Sequence, residues 1–203
     1  MKAALIATTR NGIELVSRLG EQLPQAELVL PERFASQAGY EPPEGRPVTP
    51  AGDVENLGEA SRSLSNPNTL FAPGELGGIV AARFQAGCEL LCCLSVGAVV
   101  RLIAPHLKNK AQDPAVIAFD EQARYVVPVV GGHIGGANAR AEQIAAILGA
   151  QAVITTASDS SVLPAVDLLG RDQGWQVEAS RDALCRAAAA MVNGEPLALI
   201  EED

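Results

Sequence analysis

The sequence predicts an α/β fold: a doubly wound, mostly parallel sheet with Rossmann-like layers, followed by a small additional C-terminal α/β segment. Three observations predict it. Short apolar runs suited to buried strands alternate with stretches of helical periodicity, the order that a parallel sheet requires. Hydrophobic residues are 48% of the 203, enough for a packed core. Small, glycine-containing or hydroxyl-rich segments stand where strand-like runs give way to helix-like ones.

Ala3–Ala7 is a short apolar run and reads as a buried strand. Asn11 then opens a helix, with Glu14 three residues on in a capping-box arrangement and Ile13, Val16, Leu19 and Leu23 at helical spacing. Ala26–Leu30 is a second strand. The region 31–68 holds Pro31, Pro42, Pro43, Pro47, Pro50 and Pro67 and reads as a long irregular surface excursion. Leu76, Ile79, Val80 and Phe84 mark an amphipathic helix, and Glu89–Leu94 is a strand, apolar after its first residue. Ser95–Gly97 breaks it, and Ala98–Ala104 is a short helix stopped by Pro105. Pro114–Phe119 and Tyr125–Val130 form a hairpin across the polar turn Asp120–Arg124. A glycine-rich loop, Gly131–Gly136, leads into a helix over Ala137–Leu148 with Ala137, Ala141, Ile144, Ala145 and Leu148 on one face. Ala152–Thr155 is a further strand, Ser180–Val192 a helix and Pro196–Ile200 a closing strand. Residues 1–158 thus read as an N-terminal domain carrying the excursion, and residues 159–203 as a separate central α/β segment.

Composition excludes several classes of function. With 24 acidic against 15 basic residues the net charge is -9, and no basic run offers phosphate neutralisation, which argues against nucleic acid. A local positive pocket for an anionic small molecule remains compatible with that charge. No stretch approaches the ~20 apolar residues of a membrane span, and Ala3–Ala7 is too short for a secretory signal. Cys88, Cys92 and Cys93 sit in an apolar run and read, with Cys185, as free thiols in a reducing, cytoplasmic compartment rather than as zinc ligands.

The segment richest in chemical meaning is Gly131–Asn138, with glycines at 131, 132, 135 and 136. Such a backbone turns tightly and admits a close ligand. The helix start behind it suits a carboxylate or phosphate. Its spacing is neither the dinucleotide fingerprint nor the nucleotide phosphate loop. A tight turn that only packs a helix on a sheet fits the glycines equally well. His133 is a candidate general acid or base, against the commoner structural role of a lone histidine. Ser95 and Gly97, with Arg101 in the following helix, and Thr155 and Thr156 with Asp159, occupy two further strand-to-helix loops. Ordinary helix caps and a surface ion pair explain each of these singly; convergence of all three loops at the carboxyl ends of the strands would make a cleft.

Several segments together resemble one family: Ser95-Val96-Gly97-Ala98-Val99-Val100-Arg101-Leu102-Ile103-Ala104-Pro105, Asp113-Pro114-Ala115-Val116, Gly132-His133-Ile134-Gly135-Gly136-Ala137-Asn138 and Val153-Ile154-Thr155-Thr156-Ala157-Ser158-Asp159, in that order. Thr9-Arg10-Asn11-Gly12 and Gly194-Glu195-Pro196 fit as well. The resemblance is to the cobalt-precorrin-5A hydrolases, the CbiG family of anaerobic cobalamin biosynthesis, and spans nearly the whole chain outside 31–73. Gly131 stands where the family usually has serine, Asn109 where it tends to have aspartate, and the family carries a further C-terminal domain beyond the region matched. The resemblance implies a hydrolase that opens the ring A δ-lactone of a cobalt tetrapyrrole and releases acetaldehyde. The cobalt would arrive with the substrate, with no cofactor or metal held by the protein. It further implies His133 as the catalytic residue and Ser95, Gly97, Arg101, Gly132, Gly135, Gly136, Asn138, Thr155, Thr156 and Asp159 as substrate-binding residues. Expected partners are the tetrapyrrole, the C-terminal family domain or neighbouring pathway enzymes, and a second copy in a homodimer. Two alternatives stay open: a non-catalytic tetrapyrrole-binding module that needs a separate domain for turnover, and an unrelated binder of sugar phosphates or nucleotides.

Overall fold

The computed structural model describes residues 2–39, 66–110, 112–132, 135–156, 170 and 173–196. The chain divides into two compact units, Met1–Val153 and Ile154–Asp203.

In the first unit, buried apolar runs form the strands: β1 (Ala3–Ala7), β2 (Glu27–Pro31), β3 (Asn68–Phe71), β4 (Glu89–Cys93), β5 (Val116–Phe119), β6 (Tyr125–Val130) and β7 (Gln151–Ala152). They make one sheet in the order β3-β2-β1-β4-β5-β6-β7. Every neighbouring pair is parallel except β5 and β6, which are antiparallel. The predicted α/β class and mostly parallel sheet are what the structure shows. The helices are α1 (Arg10–Gln22), α2 (Leu76–Gln85), α3 (Val96–Ile103) and α4 (Ala137–Leu148), with α1 and α4 together on one face and α2 and α3 on the other. The period of two along the strands decides which side chains meet them. Ala4, Ile6, Val29, Leu90, Cys92, Val116 and Ala118 point to the face where α2 brings Val80 and Phe84 and α3 brings Val99 and Ile103.

Several boundaries move for identifiable reasons. The cap of helix α1 lies two residues before the position predicted at Asn11, because Thr9 is its N-cap and accepts the Gly12 N–H at 3.2 Å. Helix α3 begins at Val96, because Ser95 caps it by accepting the Ala98 N–H. Pro105 falls in a 3₁₀ turn, Ala104–His106, after its end. Strand β3, which the sequence pattern does not predict, begins at Asn68, the last residue of the proline-rich excursion. Asn66, buried at 4% exposure, ties the chain down before it by donating to the carbonyls of Leu23 and Ala26, both at 2.9 Å. A 3₁₀ segment, Glu32–Ala38, follows β2, and residues 40–65 lie outside the described residues. The strand predicted over Ala152–Thr155 is reduced to β7.

In the second unit the described residues hold one helix, α5 (Arg181–Val192), capped by Ser180, which accepts the Ala183 N–H at 3.2 Å. The closing strand predicted over Pro196–Ile200 lies almost entirely outside the described residues. Among the described residues no helix is long and apolar enough to cross a membrane.

Candidate functional site

The direction of β6 decides where the sequence-predicted loops stand. Because β6 runs against β5, its last residue, Val130, pairs with Val116, the first residue of β5. The loop Gly131–Gly136 therefore opens at the edge where β4 and β5 begin. Ser95–Gly97 follows the other end of β4. A strand of five residues rises about 13 Å, so one reacting carbonyl cannot touch both loops. The expected convergence of three loops at one carboxyl edge does not occur. Thr155 and Thr156 belong to the second unit, and Asp159 and His133 lie outside the described residues.

At the amino edge the glycine loop folds onto itself. Gly131 and Gly136 both have φ of 78°, the left-handed region. A Cβ at Gly135 would lie 2.7 Å from the Gly131 carbonyl oxygen. Gly132 packs closely against Asn138, whose side chain is buried. The Gly131 and Gly132 carbonyls accept the N–H groups of Ala137 and Asn138, at 2.9 and 3.1 Å. Two of the orphan donors expected at the start of α4 are thus used inside the loop. One turn on, Arg140 reaches back to Glu89 at the start of β4, with Nε 3.1 Å from the carboxylate. Burial pushes the Glu89 carboxyl above the usual carboxylate range, and the Arg140 charge only partly reverses the effect.

The carboxyl edge has a different chemistry. The chain leaves β1 toward β2 on one side, and β4 begins the other half of the sheet, so β1 and β4 flank the topological switch point. In open α/β sheets ligands bind in the crevice there. The starts of α1 and α3 stand on either side of it, capped by Thr9 and Ser95. Cys93 lies at the end of β4 beneath them. Its thiol is pushed up to about 12 by burial, with Glu121 and Asp120 adding to the effect, which makes it a packing residue rather than a nucleophile. Cys88 and Cys92 are buried as the sequence predicted.

Three arginines line this edge. Arg10 opens α1, and Arg33 follows β2 by two residues; their guanidinium carbons lie 5.2 and 4.6 Å from the centroid of the Phe34 ring. Arg101 was expected to need an anionic partner inside an apolar helix. It is instead exposed on the outer side of α3, with NH1 3.3 Å from the Gly97 carbonyl, because the buried face of that helix belongs to Val99 and Ile103. Among the described residues no carboxylate pairs with Arg10, Arg33 or Arg101. The hairpin after β5 completes the edge. Asp120 builds the turn by accepting the N–H groups of Tyr125 and Arg124 at 2.7 and 2.9 Å. Burial raises its carboxyl, but those donors and the Arg124 guanidinium outweigh that and hold it below the usual range. Glu121 beside it reaches Thr9, whose Oγ1 donates to Glu121 Oε1 at 2.5 Å.

Sequence reasoning singled out neither Arg33 nor Glu121, and met Thr9 and Arg10 only through the family resemblance. A hydroxyl residue at the exit of the first strand was the available signal. The Thr9–Glu121 pair joins residues 112 apart and left none.

Residues 78–159 match the family model described as cobalamin synthesis G N-terminal, and residues 164–203 match the one described as cobalamin biosynthesis central region. The chain belongs to the CbiG family. The cobalt-precorrin-5A hydrolase of Priestia megaterium is 33% identical over 199 residues, 98% of this chain and 46% of that protein. The enzyme of that name from Salmonella typhimurium is 38% identical over 125 residues, 61% of this chain and 34% of that protein. The chain therefore spans less than half the length of these curated relatives. A solved cobalamin biosynthesis protein G homolog from Sulfolobus solfataricus aligns with a TM-score of 0.44 and 16% identity, covering 95% of this chain and 46% of that one. The first CbiG region contains both the Ser95–Gly97 turn and the glycine loop, so membership alone does not choose between the two edges.

Proposed function

We propose that this chain carries the substrate site of a cobalt-precorrin-5A hydrolase. It would take a cobalt tetrapyrrole, open the ring A δ-lactone by hydrolysis and release acetaldehyde, in a reducing cytoplasmic compartment. The cobalt is part of the substrate. The macrocycle would lie at the carboxyl edge of the sheet, its acetate and propionate groups on Arg10, Arg33 and Arg101. The observation that carries this reading is the pair of guanidinium groups of Arg10 and Arg33 on Phe34, with Arg101 reaching the first turn of α3, none held by a carboxylate among the described residues, in a chain of net charge -9. Guanidinium matches carboxylate geometry with paired N–H donors. Stacking on Phe34 holds Arg10 and Arg33 in place without occupying those donors. Absorbance titration with cobalt-precorrin-5A tests it: Arg10→Gln and Arg33→Gln should each weaken binding about five- to tenfold, about 1 to 1.4 kcal/mol, and the loss should shrink at high salt. Unchanged affinity in both variants would refute this placement.

A second reading keeps the reaction at the glycine loop. Its support is the close packing of Gly135 on Gly131, which brings backbone near any ligand there. His133 would then assist attack on the lactone, with Gly132, Gly135, Gly136 and Asn138 around the substrate. A His133→Ala protein with unchanged turnover would remove this reading. If the chain binds the macrocycle without turnover, it is a binding module whose chemistry lies in a further domain of the family or a neighbouring enzyme.

A further inference from the structure

We infer that Glu121 is the general base of the hydrolytic step and that Thr9 is its positioning residue. This assignment rests on the reading above that the substrate occupies the carboxyl edge. Glu121 sits at the tip of the β5–β6 hairpin, one residue after Asp120, whose carboxylate is committed to the turn itself. Its own carboxylate extends beyond the turn to the start of α1, where it accepts the Thr9 hydroxyl at 2.5 Å. That hydroxyl also accepts the Gly12 N–H at 3.2 Å, so its proton is directed to Glu121 from a fixed position. Only one carboxylate oxygen is engaged among the described residues, and the residue is exposed, which leaves Oε2 open to a water molecule.

Lactone hydrolysis needs that water activated beside donors for the oxyanion. The N–H groups of Val96 and Gly97 precede the first intrahelical bonds of α3, which start with Ala98 and Val99 donating to Ser95. They stand at the same edge, with the positive end of the α3 dipole behind them. In the step, Glu121 takes a proton from water while the water oxygen bonds to the lactone carbonyl carbon. The resulting oxyanion is held by the helix-start donors. The ring C–O bond then breaks, and the proton on Glu121 passes to the departing alkoxide, leaving a hydroxyl and a carboxylic acid, whose own proton is lost to solvent. No oxidant, metal or further reactant enters the balance.

The test compares the full chain with Glu121→Gln, Thr9→Val and Thr9→Ser, following substrate binding by absorbance and turnover by acetaldehyde release. Glutamine can still accept from Thr9, so Glu121→Gln should fold and bind within about threefold of the parent while turnover falls at least about 100-fold. Thr9→Val should also lower turnover with little change in Kd, and Thr9→Ser should restore it. Glu121→Gln turning over normally on a parent that binds overturns this assignment and leaves the substrate reading standing. Parent binding without acetaldehyde overturns it equally, since base, donors and substrate are here placed on one unit. Failure of the parent to bind the tetrapyrrole removes the substrate reading and this inference with it.

Discussion

Replacing Arg140 with methionine tests the electrostatics at the amino edge. The guanidinium Nε lies 3.1 Å from the Glu89 carboxylate, and the two side chains are 26% and 9% exposed. At an effective dielectric near 20, unit charges at that distance attract by about 5 kcal/mol. Desolvation opposes this, and it prevails at Glu89, whose carboxyl titrates above its usual range. The sign follows from linkage. A carboxyl raised in the folded state contributes stability below its unfolded pKa and loses it as pH rises through the folded value. Removing Arg140 deepens that loss by leaving a buried charge unpaired, which costs about 3 to 5 kcal/mol in comparable cases. The partial exposure of Arg140 puts the expected value near 3 kcal/mol at pH 7.5. A penalty carried by ionisation is released at up to about 1.4 kcal/mol per pH unit as the carboxyl takes up its proton, so the cost should be clearly smaller at pH 5.5. The double variant Glu89→Gln, Arg140→Met removes both charges and should cost about 1 kcal/mol or less at either pH. Urea denaturation followed by circular dichroism at the two pH values measures all three. An Arg140→Met cost under about 1 kcal/mol at pH 7.5, or one equal at both, would refute the account.

The remaining predictions concern the two turns. Gly135→Ala sets a methyl group 2.7 Å from the Gly131 carbonyl oxygen and 2.9 Å from its Cα, backbone atoms that cannot swing aside. It should cost about 2 to 3 kcal/mol in urea denaturation, and a loss under about 0.5 kcal/mol would show that the loop is not held in this form. Ala123 has φ of 53°, and its N–H closes the hairpin on the Asp120 carbonyl at 3.0 Å. Relieving the left-handed strain outweighs glycine's added backbone entropy. Ala123→Gly should therefore raise stability by about 0.5 kcal/mol, and a decrease in Tm would contradict that balance.

The strand and helix content of the first unit was legible because its signals are local. Apolar runs such as Ala3–Ala7 and Glu89–Cys93, the helical spacing of Ile13, Val16 and Leu19, and the buried face of α4 all lie within one element. Ser95 was legible as a helix cap from the residues alone, whereas the cap of α1 was set two residues late at Asn11, because Glu14 suggested a capping box there and Thr9 provides the cap instead. Strand β3 was obscured because only four residues pair there, at an edge, after a proline-rich stretch whose length predicts irregularity.

By itself, then, the sequence determined the α/β class, the order of elements, the hairpin after β5, the buried thiols and the family motifs. All of these depend on neighbours within a few residues or on composition. Only the tertiary structure decided which loops share an edge. That depends on strand order and on the reversal of β6 against β5, set by pairings such as Val116 with Val130. The same pairing separates the glycine loop from Ser95 and Gly97. The packing of β5 beside β4, and of β4 beside β1, carries Glu121 within a hydrogen bond of Thr9. A contact between residues so distant in the chain exists only once the sheet has closed the intervening distance, and no local pattern encodes it.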